Sequence, residues 1–336
     1  MIQKKDKSIL VFRFSALGDV AMTIPILRSF FNTYPNQKII FVSRGFVEPL
    51  FKEFDNLEFI AVDFKNDFKG LKGLFKLFMS LRKKNIKSVA DLHNVLRTKI
   101  LKIFFKLVFV KVQSIDKGRE ERRRLTQKKN KKFKPLTPTH YRYCDVFGRL
   151  GFPIDLANHD YPIKPYLSEN SPEQQTLSKK GERKVIGIAP FASFTGKNYP
   201  LDLMQNVIAY LQKDHLICLF GGGEKELKQI KIWEKAYDNV IDVASPFNLT
   251  EQINIINYID IMISMDSANG HIAANCGIPV LTIWGMTHPF CGFTPFDQGI
   301  ENSITIDRNN YPQIPTSIFG NKIPKGYESA FRSIEP

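Results

Sequence analysis

The sequence predicts a two-domain α/β protein built on mostly parallel sheets, and three observations carry that expectation. Short apolar runs rich in Ile, Val and Phe alternate with stretches of helical periodicity along most of the chain. The alternation runs once through the first 150 residues and again from Lys184 onward. At 336 residues the chain is long for one α/β domain and comfortable for two of about 150 residues each.

Strands are expected at 8–14, 38–42, 57–62, 88–92 and 110–115, with helices at 26–33 and 70–84 between them. Pro25 stands inside the first helical pattern and lacks a backbone donor, so a kink or a restart is expected there. A helix over 140–150 closes this half, and Gly151-Phe152-Pro153 stops it. Proline and serine then mark 156–183 as a linker. The second half repeats the alternation, with strands at 184–189, 215–220, 240–243, 260–264 and 279–284 and helices at 201–211, 224–237, 252–258 and 271–276. Past Pro295 the pattern fades, and 327–333 is read as a last helix. The expected organisation is a first domain over 1–155, the linker, a second domain over 184–310 and a tail over 311–336.

Composition narrows the class. Hydrophobic residues make up 43% and charged residues 24%, which is globular and leaves no sign of bulk disorder. Cys144, Cys218, Cys276 and Cys291 show no C-x-x-C spacing, which excludes a zinc knuckle and a disulfide framework. Arg13 cuts the first apolar run far short of a signal-peptide core, and Lys106 and Lys111 interrupt 103–112 as a span. A reducing, cytoplasmic location is expected. The net charge of +15 is uneven, since 117–134 holds ten Lys or Arg against two Glu. Such a block addresses a polyanion: nucleic acid, an anionic membrane surface or an anionic small substrate. Its one aromatic residue, Phe133, argues against a stacking platform for single-stranded nucleic acid.

Four loops at strand ends could carry chemistry. Asp19 follows Gly18 where the first strand hands over to a helix, the edge at which open α/β sheets bind ligands. Its carboxylate is either a general base, if a substrate hydroxyl comes within about 3 Å, or a helix cap. Ser15 and Gly18 beside it suit an anion nest. In the second half, Ser193, Thr195, Gly196 and Lys197 combine hydroxyls, free backbone and a cation in one turn, which is either a pyrophosphate site or a solvated loop. Gly221, Gly222 and Gly223 precede Glu224, a carboxylate suited to ribose hydroxyls, although glycine loops are also plain turns. Asp266, Ser267, Ala268 and His271 lie where a strand meets a small-residue helix, whose first amides suit an anion. His271 alone reads as structural or catalytic, and too few ligands accompany it for zinc. No D-x-D pair occurs, so no carboxylate clamp for a divalent metal is expected. His93, Asn94 and Arg97 form a further polar cluster after the fourth strand.

Taken in order, these motifs resemble glycosyltransferase family 9, the lipopolysaccharide heptosyltransferases. The resemblance rests on R-F-S-A-L-G-D-V from Arg13 with Pro25 after it, D-L-H-N-V-L-R from Asp91, T-G-K from Thr195, G-G-G-E from Gly221, and D-S-A-N-G-H-I-A-A-N-C-G-I-P-V from Asp266. Ala268 stands where the family usually has glycine. The resemblance implies a GT-B fold with two Rossmann-like domains facing across a cleft, the acceptor on the first and ADP-heptose on the second. It implies inverting, metal-independent transfer without a cofactor, with Asp19 as base. Thr195 and Lys197 would then meet the diphosphate, Gly222 and Glu224 the ribose end, Asp266 the sugar, and Ser267 and Ala268 phosphate oxygens, with His271 nearby.

The expected activity is transfer of heptose to a hydroxyl of an anionic lipid A/Kdo-type acceptor. Ser15, Gly18, Arg97, Arg119, Arg122 and Arg123 would receive that acceptor, and the basic block would hold the chain peripherally at the inner membrane. No nucleic-acid partner is expected. A transferase using another sugar nucleotide is the alternative among enzymes, and a basic nucleic-acid or membrane-surface binding module is the alternative outside them.

Overall fold

The structure, a computed structural model, describes residues 7–336, which divide into two compact units. The first holds 7–117 and 139–160, and the second holds 118–138 and 161–336. In chain order the elements up to residue 150 are β1 (Ser8–Phe12), α1 (Leu17–Ala21), α2 (Ile24–Thr33), β2 (Ile39–Ser43), β3 (Leu57–Ala61), α3 (Gly70–Arg82), β4 (Ile86–Asp91), α4 (Leu96–Leu107), β5 (Lys111–Ser114), α5 (Arg119–Thr126) and α6 (Thr139–Leu150). All but α5 belong to the first unit.

The sheet of the first unit is parallel throughout, in the order β3-β2-β1-β4-β5. Every residue of β1 and β2 is buried, as befits strands covered on both faces. Leu10 and Phe12 pack with Leu74, Leu77, Phe78 and Leu81 of α3 and with Leu101 and Phe105 of α4. Those helical positions recur at three and four residues, so each helix turns one stripe inward. A separate aromatic cluster joins Phe30 of α2 to Phe147 of α6 and to Phe152, with centroids 5.3 and 5.8 Å apart. Pro25 produces the restart: α1 ends at Ala21, and Pro25 occupies the first turn of α2, where a missing N–H leaves nothing unpaired. Lys99 and Lys106 lie on the outward side of α4, whereas Lys102 pairs with Asp91.

The second unit continues with α7 (Pro172–Ser178), β6 (Val185–Ala189), α8 (Leu201–Leu211), β7 (Leu216–Leu219), α9 (Glu224–Ala236), β8 (Val240–Asp242), α10 (Leu249–Ile256), β9 (Ile261–Met265), α11 (Ala268–Asn275), β10 (Val280–Trp284) and β11 (Ser303–Thr305). Its sheet is also parallel, in the order β11-β10-β9-β6-β7-β8. The core gathers Ile188, Met204, Ile208, Leu219, Trp233, Met265 and Ile283 from strands and helices alike.

Three expectations about organisation need correction. Residues 118–138, assigned to the first domain from sequence, belong to the second unit. Leu125 and Leu136 bury against Cys291 and Ile318, the Leu136 N–H donates to the Phe290 carbonyl at 3.0 Å, and Lys131 Nζ donates to the carbonyls of Leu125, Gln313 and Pro315 at 2.8, 2.9 and 2.7 Å. Burial, with Arg308 nearby, pushes Lys131 down to about 8. The linker contains α7, capped by Ser171 and tied to α10 by a 3.1 Å bond from Asn254 to Glu173. The tail is core: Tyr327, Ala330 and Phe331 pack into the second unit, and Tyr199 donates to the Ile334 carbonyl at 2.6 Å. The helix expected at 327–333 is one 3-10 turn over Ala330–Ser333. Just before it Gly326 takes a positive φ of 85°, where a side chain would be strained.

Replacing Lys131 with Met removes three bonds from a charged donor and leaves their carbonyls without it. The variant is expected to lose about 2–3 kcal/mol in chemical denaturation. Limited proteolysis should cut within 118–138 sooner than in the wild type.

Candidate functional site

In the first unit the order of strand addition reverses between β1 and β4, and the loops leaving the carboxyl ends of these two neighbours hold its polar side chains. Arg13, the first residue past β1, is buried. Its Nη1 donates to the Leu92 carbonyl at 3.0 Å and its Nη2 meets Asp19 Oδ2 at 2.6 Å. Burial alone would lower the Arg13 pKa, but the neighbouring Tyr143 and Asp19 outweigh it and hold the guanidinium above its ordinary value.

Asp19 is not the N-cap that sequence allowed. Ala16 holds that position and has no side chain to cap with, while Asp19, at the third helical position, reaches back so that the Ala16 N–H donates to its Oδ2 at 3.3 Å. The Asp19 side chain keeps 29% of its surface exposed against 7% for Arg13, so the cation is sealed and the carboxylate is accessible. Tyr143 of α6 donates to the Asp19 carbonyl at 3.2 Å, which fixes the backbone beneath the carboxylate.

The neighbouring loop is organised by Asp91, fully buried at the end of β4. Its Oδ1 accepts from the N–H groups of His93 and Asn94 at 3.1 and 2.7 Å, and its Oδ2 pairs with Lys102 at 2.9 Å. This turn presents His93 to the Asp19 loop, where Nδ1 accepts the Phe14 N–H at 3.4 Å, an arrangement that assigns the ring proton to Nε2. Burial first, then Arg13 and Lys117, push His93 down to about 3. Ser15 lies half-buried in the loop after β1, and Gly18 half-buried in the first turn of α1. Arg97 is exposed on α4, its guanidinium 5.0 Å above the Phe64 ring, which in turn lies 4.7 Å from Phe14.

The second unit repeats the device. Its order reverses between β6 and β9, and the loops leaving these strands bring Lys197 to Asp266. Lys197 Nζ lies 2.7 Å from Asp266 Oδ2 and donates to the Asp266 carbonyl at 3.2 Å, and Thr287 donates to the same Oδ2 at 2.9 Å. Both side chains of the ion pair are largely buried, 15% and 5% exposed. The turn over Thr195–Lys197 is held by backbone on both sides: the Gly196 N–H donates to the Gly320 carbonyl at 3.2 Å, and the Gly196 carbonyl accepts the Met286 N–H at 2.7 Å. A Cβ on Gly196 would fall 2.4 Å from the Gly320 oxygen, so only glycine fits. Thr195 itself is exposed.

Helix α11 starts at Ala268, three residues before the expected 271, and Ser267 holds the N-cap position without capping by its side chain; its hydroxyl lies 3.3 Å from that of Ser264. The first-turn amides therefore belong to Ala268, Asn269 and Gly270, and His271 is buried one step inside the helix. Glu224 opens α9, is 82% exposed and pairs with Lys228 at 2.7 Å. Glu226 is turned back so that its Oε2 accepts the Gly222 N–H at 2.8 Å. A Cβ on Gly222 would meet open space, so that glycine is not forced by its surroundings. Among the described residues no group of three His, Cys, Asp or Glu could hold a metal ion.

The arginines of the basic block lie on α5, in the second unit, and the structure does not group them with Asp19, Ser15, Gly18 and Arg97 of the first. Arg119 is exposed, Arg122 stacks 4.9 Å over Phe293, and Arg123 and Arg124 both bond Glu120, holding its carboxyl at about 2. Sequence reasoning missed the roles of Arg13, Thr287 and Tyr143. Arg13 had a signal, a charge at the end of a buried run that demands a carboxylate partner.

Comparison with known proteins fits this layout. The family described as glycosyltransferase family 9 (heptosyltransferase) matches residues 74–323. Lipopolysaccharide core heptosyltransferase OpsX of Haemophilus influenzae is 22% identical over 308 residues, covering 90% of this chain and 86% of that protein. A glycosyl transferase family 9 structure from Veillonella parvula superimposes with a TM-score of 0.71 at 20% identity, covering 91% and 88% of the two chains. The E. coli ADP-heptose lps heptosyltransferase II structure gives 0.64 at 19% identity, covering 89% and 90%.

The half-buried, neutral His93 sets a pH dependence. Its pKa is depressed by folding, so its contribution to stability is present above the unfolded value of about 6.5 and is lost as pH falls toward about 3. The melting-temperature gap between wild type and His93→Gln is expected to narrow as pH drops from 7 to 4. In NMR titration the His93 ring signals should stay flat from pH 8 to 5.

Proposed function

This chain belongs to glycosyltransferase family 9, the heptosyltransferases, and from that membership we propose that it moves heptose from ADP-heptose to a hydroxyl of an anionic lipopolysaccharide inner-core acceptor, with Asp19 as base. The two parallel-sheet α/β domains are those of the GT-B class. The observation that carries the assignment of the base is the Arg13–Asp19 pair: a sealed cation holds an accessible carboxylate at the carboxyl edge of the sheet.

In the proposed step the acceptor hydroxyl oxygen attacks the anomeric carbon as its proton passes to Asp19. The bond from that carbon to the diphosphate oxygen breaks on the opposite face, so the centre inverts and ADP leaves. Lys197 has two donor contacts on Asp266, and a further N–H of the ammonium would meet a diphosphate oxygen. The first-turn amides of α11, from Ala268 onward, with Ser267 and Thr195, would add neutral donors there, and such preorganised donors are usually worth several kcal/mol. Asp266 would orient the sugar, and buried His271 would support the helix that carries those amides.

Glu224 would accept from the ribose hydroxyls beside Gly222, exchanging its surface partner Lys228. For the acceptor, the first unit offers Ser15, Gly18 and Arg97, and the second offers Arg119, Arg122 and Arg123 for carboxylates or phosphates. Arg122 and Arg123 already have partners, which weakens the view of this block as a polyanion-binding module. We further propose cytoplasmic residence with peripheral contact at the inner membrane; among the described residues no helix is long and apolar enough to cross one.

Asp19→Asn is expected to keep the fold and the affinity for ADP-heptose in calorimetry while kcat for transfer falls about 10²–10⁴-fold. Unchanged transfer would remove Asp19 from the role of base.

A further inference from the structure

Helix α3 is apolar on two sides. Leu74, Leu77, Phe78 and Leu81 face the core, yet Leu71, Phe75 and Met79, spaced four residues apart, are exposed on another stripe. Helix α4 repeats this beside it: Leu101 and Phe105 are buried while Ile103, Leu107 and the following Phe109 are exposed, Phe109 by 98%. The two helices pack together, and the Phe75 and Phe104 rings, 5.6 Å apart, join their outer faces. Side chains of this size grouped on one face mark an interaction surface, whereas scattered ones would not.

Charge identifies the partner. From 69 to 111 the chain carries twelve Lys or Arg and one acid, Asp91, which is buried and paired with Lys102. The total excess is larger than that of 117–134, spread over a longer segment. Lys72 and Lys76 on α3 and Lys99 and Lys106 on α4 are exposed around the apolar stripes; Lys84, at the end of α3, is answered by Glu58. A second copy of this chain would set positive charge against positive charge in a self-complementary contact. Nucleic acid would leave the leucines and phenylalanines without a counterpart. An anionic lipid surface answers both features, with apolar side chains entering the headgroup boundary and lysine stems lying along them so that the ammonium groups reach lipid phosphates.

We propose that the outer face of α3 and α4, through Leu71, Phe75, Met79, Ile103, Leu107 and Phe109 with their flanking lysines, is the surface by which this protein docks on an anionic bilayer. The proposal deepens the reading of peripheral membrane contact and rests on it for the choice of compartment. It moves the contact from the basic block of the second unit to two helices of the first.

Flotation of the full chain with vesicles tests it without any glycosyl transfer. Binding is expected to vesicles of phosphatidylcholine with phosphatidylglycerol, to weaken with salt, and to be slight with phosphatidylcholine alone. Lys72→Glu with Lys76→Glu, and separately Phe75→Ser with Ile103→Ser, should each reduce partition about tenfold or more. Lys128→Glu with Lys129→Glu, in the other basic block, should change it less than about twofold. All substituted positions are exposed, and unchanged circular dichroism melts confirm folding. The proposal is overturned if anionic vesicles do not bind the wild type, if both α3/α4 pairs bind like wild type, or if only the 128/129 pair loses binding. A dimer in light scattering that Phe75→Ser with Ile103→Ser dissociates, with no vesicle binding, would assign the face to self-association and also overturn it. Transfer to a water-soluble acceptor analogue is read separately, so failure of the docking surface and failure of the proposed activity are distinguishable.

Discussion

A parallel sheet can grow in only one direction until the chain returns to the other side of its first strand, and this return constrains everything else in the molecule. It happens once in each unit, between β1 and β4 and between β6 and β9. At that point two adjacent strands send their following loops to opposite faces, so the carboxyl edge opens between them. Arg13–Asp19 and the Asp91 turn occupy one opening, and Lys197–Asp266 occupies the other. The tightly closed strands, buried along β1, β2 and β6, fix the ends from which these loops depart.

The two ion pairs are built alike and differ in which member is accessible. In the first unit the cation is buried and held by a carbonyl, and the carboxylate looks outward. In the second the carboxylate is the more buried member and is held by Thr287, while the ammonium keeps more of its surface. Buried pairs of this kind add little net stability, because desolvation offsets much of the attraction. Their effect is to hold one charged group in a fixed place: a carboxylate suited to taking a proton, and an ammonium suited to a leaving diphosphate.

Much of this was legible in the sequence. The buried strands announce themselves by unbroken apolar runs, because both faces are covered, and Pro25 marks the restart of α2 because its ring and missing donor suit only a first turn. The strand-end loops are legible for the same reason, since each must follow an apolar run. What escaped depends on partners distant in sequence. Nothing near Leu125 or Leu136 reveals that they bury against Cys291 and Ile318, so a basic segment flanked by first-domain elements was assigned to that domain. Phe331 lies against Gly285, where even a Cβ would collide with its ring, yet the Asn, Pro and Gly around it read as a loose tail. Thr287 and Tyr143 act through a single hydroxyl each, and hydroxyls carry no pattern. The outward stripe of α3 has the same spacing as a core face, and only the fold shows which stripe the core uses.

With Asp19 taking the hydroxyl proton as the oxygen attacks, the proposed reaction is a single displacement, and stereochemistry reports that directly. The decisive measurement is the anomeric configuration of the new glycosidic bond, read by NMR from a reaction of the purified chain with ADP-heptose and an inner-core acceptor in the presence of a chelator. The expected product forms under chelation and carries the configuration opposite to that of the donor. Retention of configuration, or no transfer from ADP-heptose while another sugar nucleotide is consumed, would contradict it.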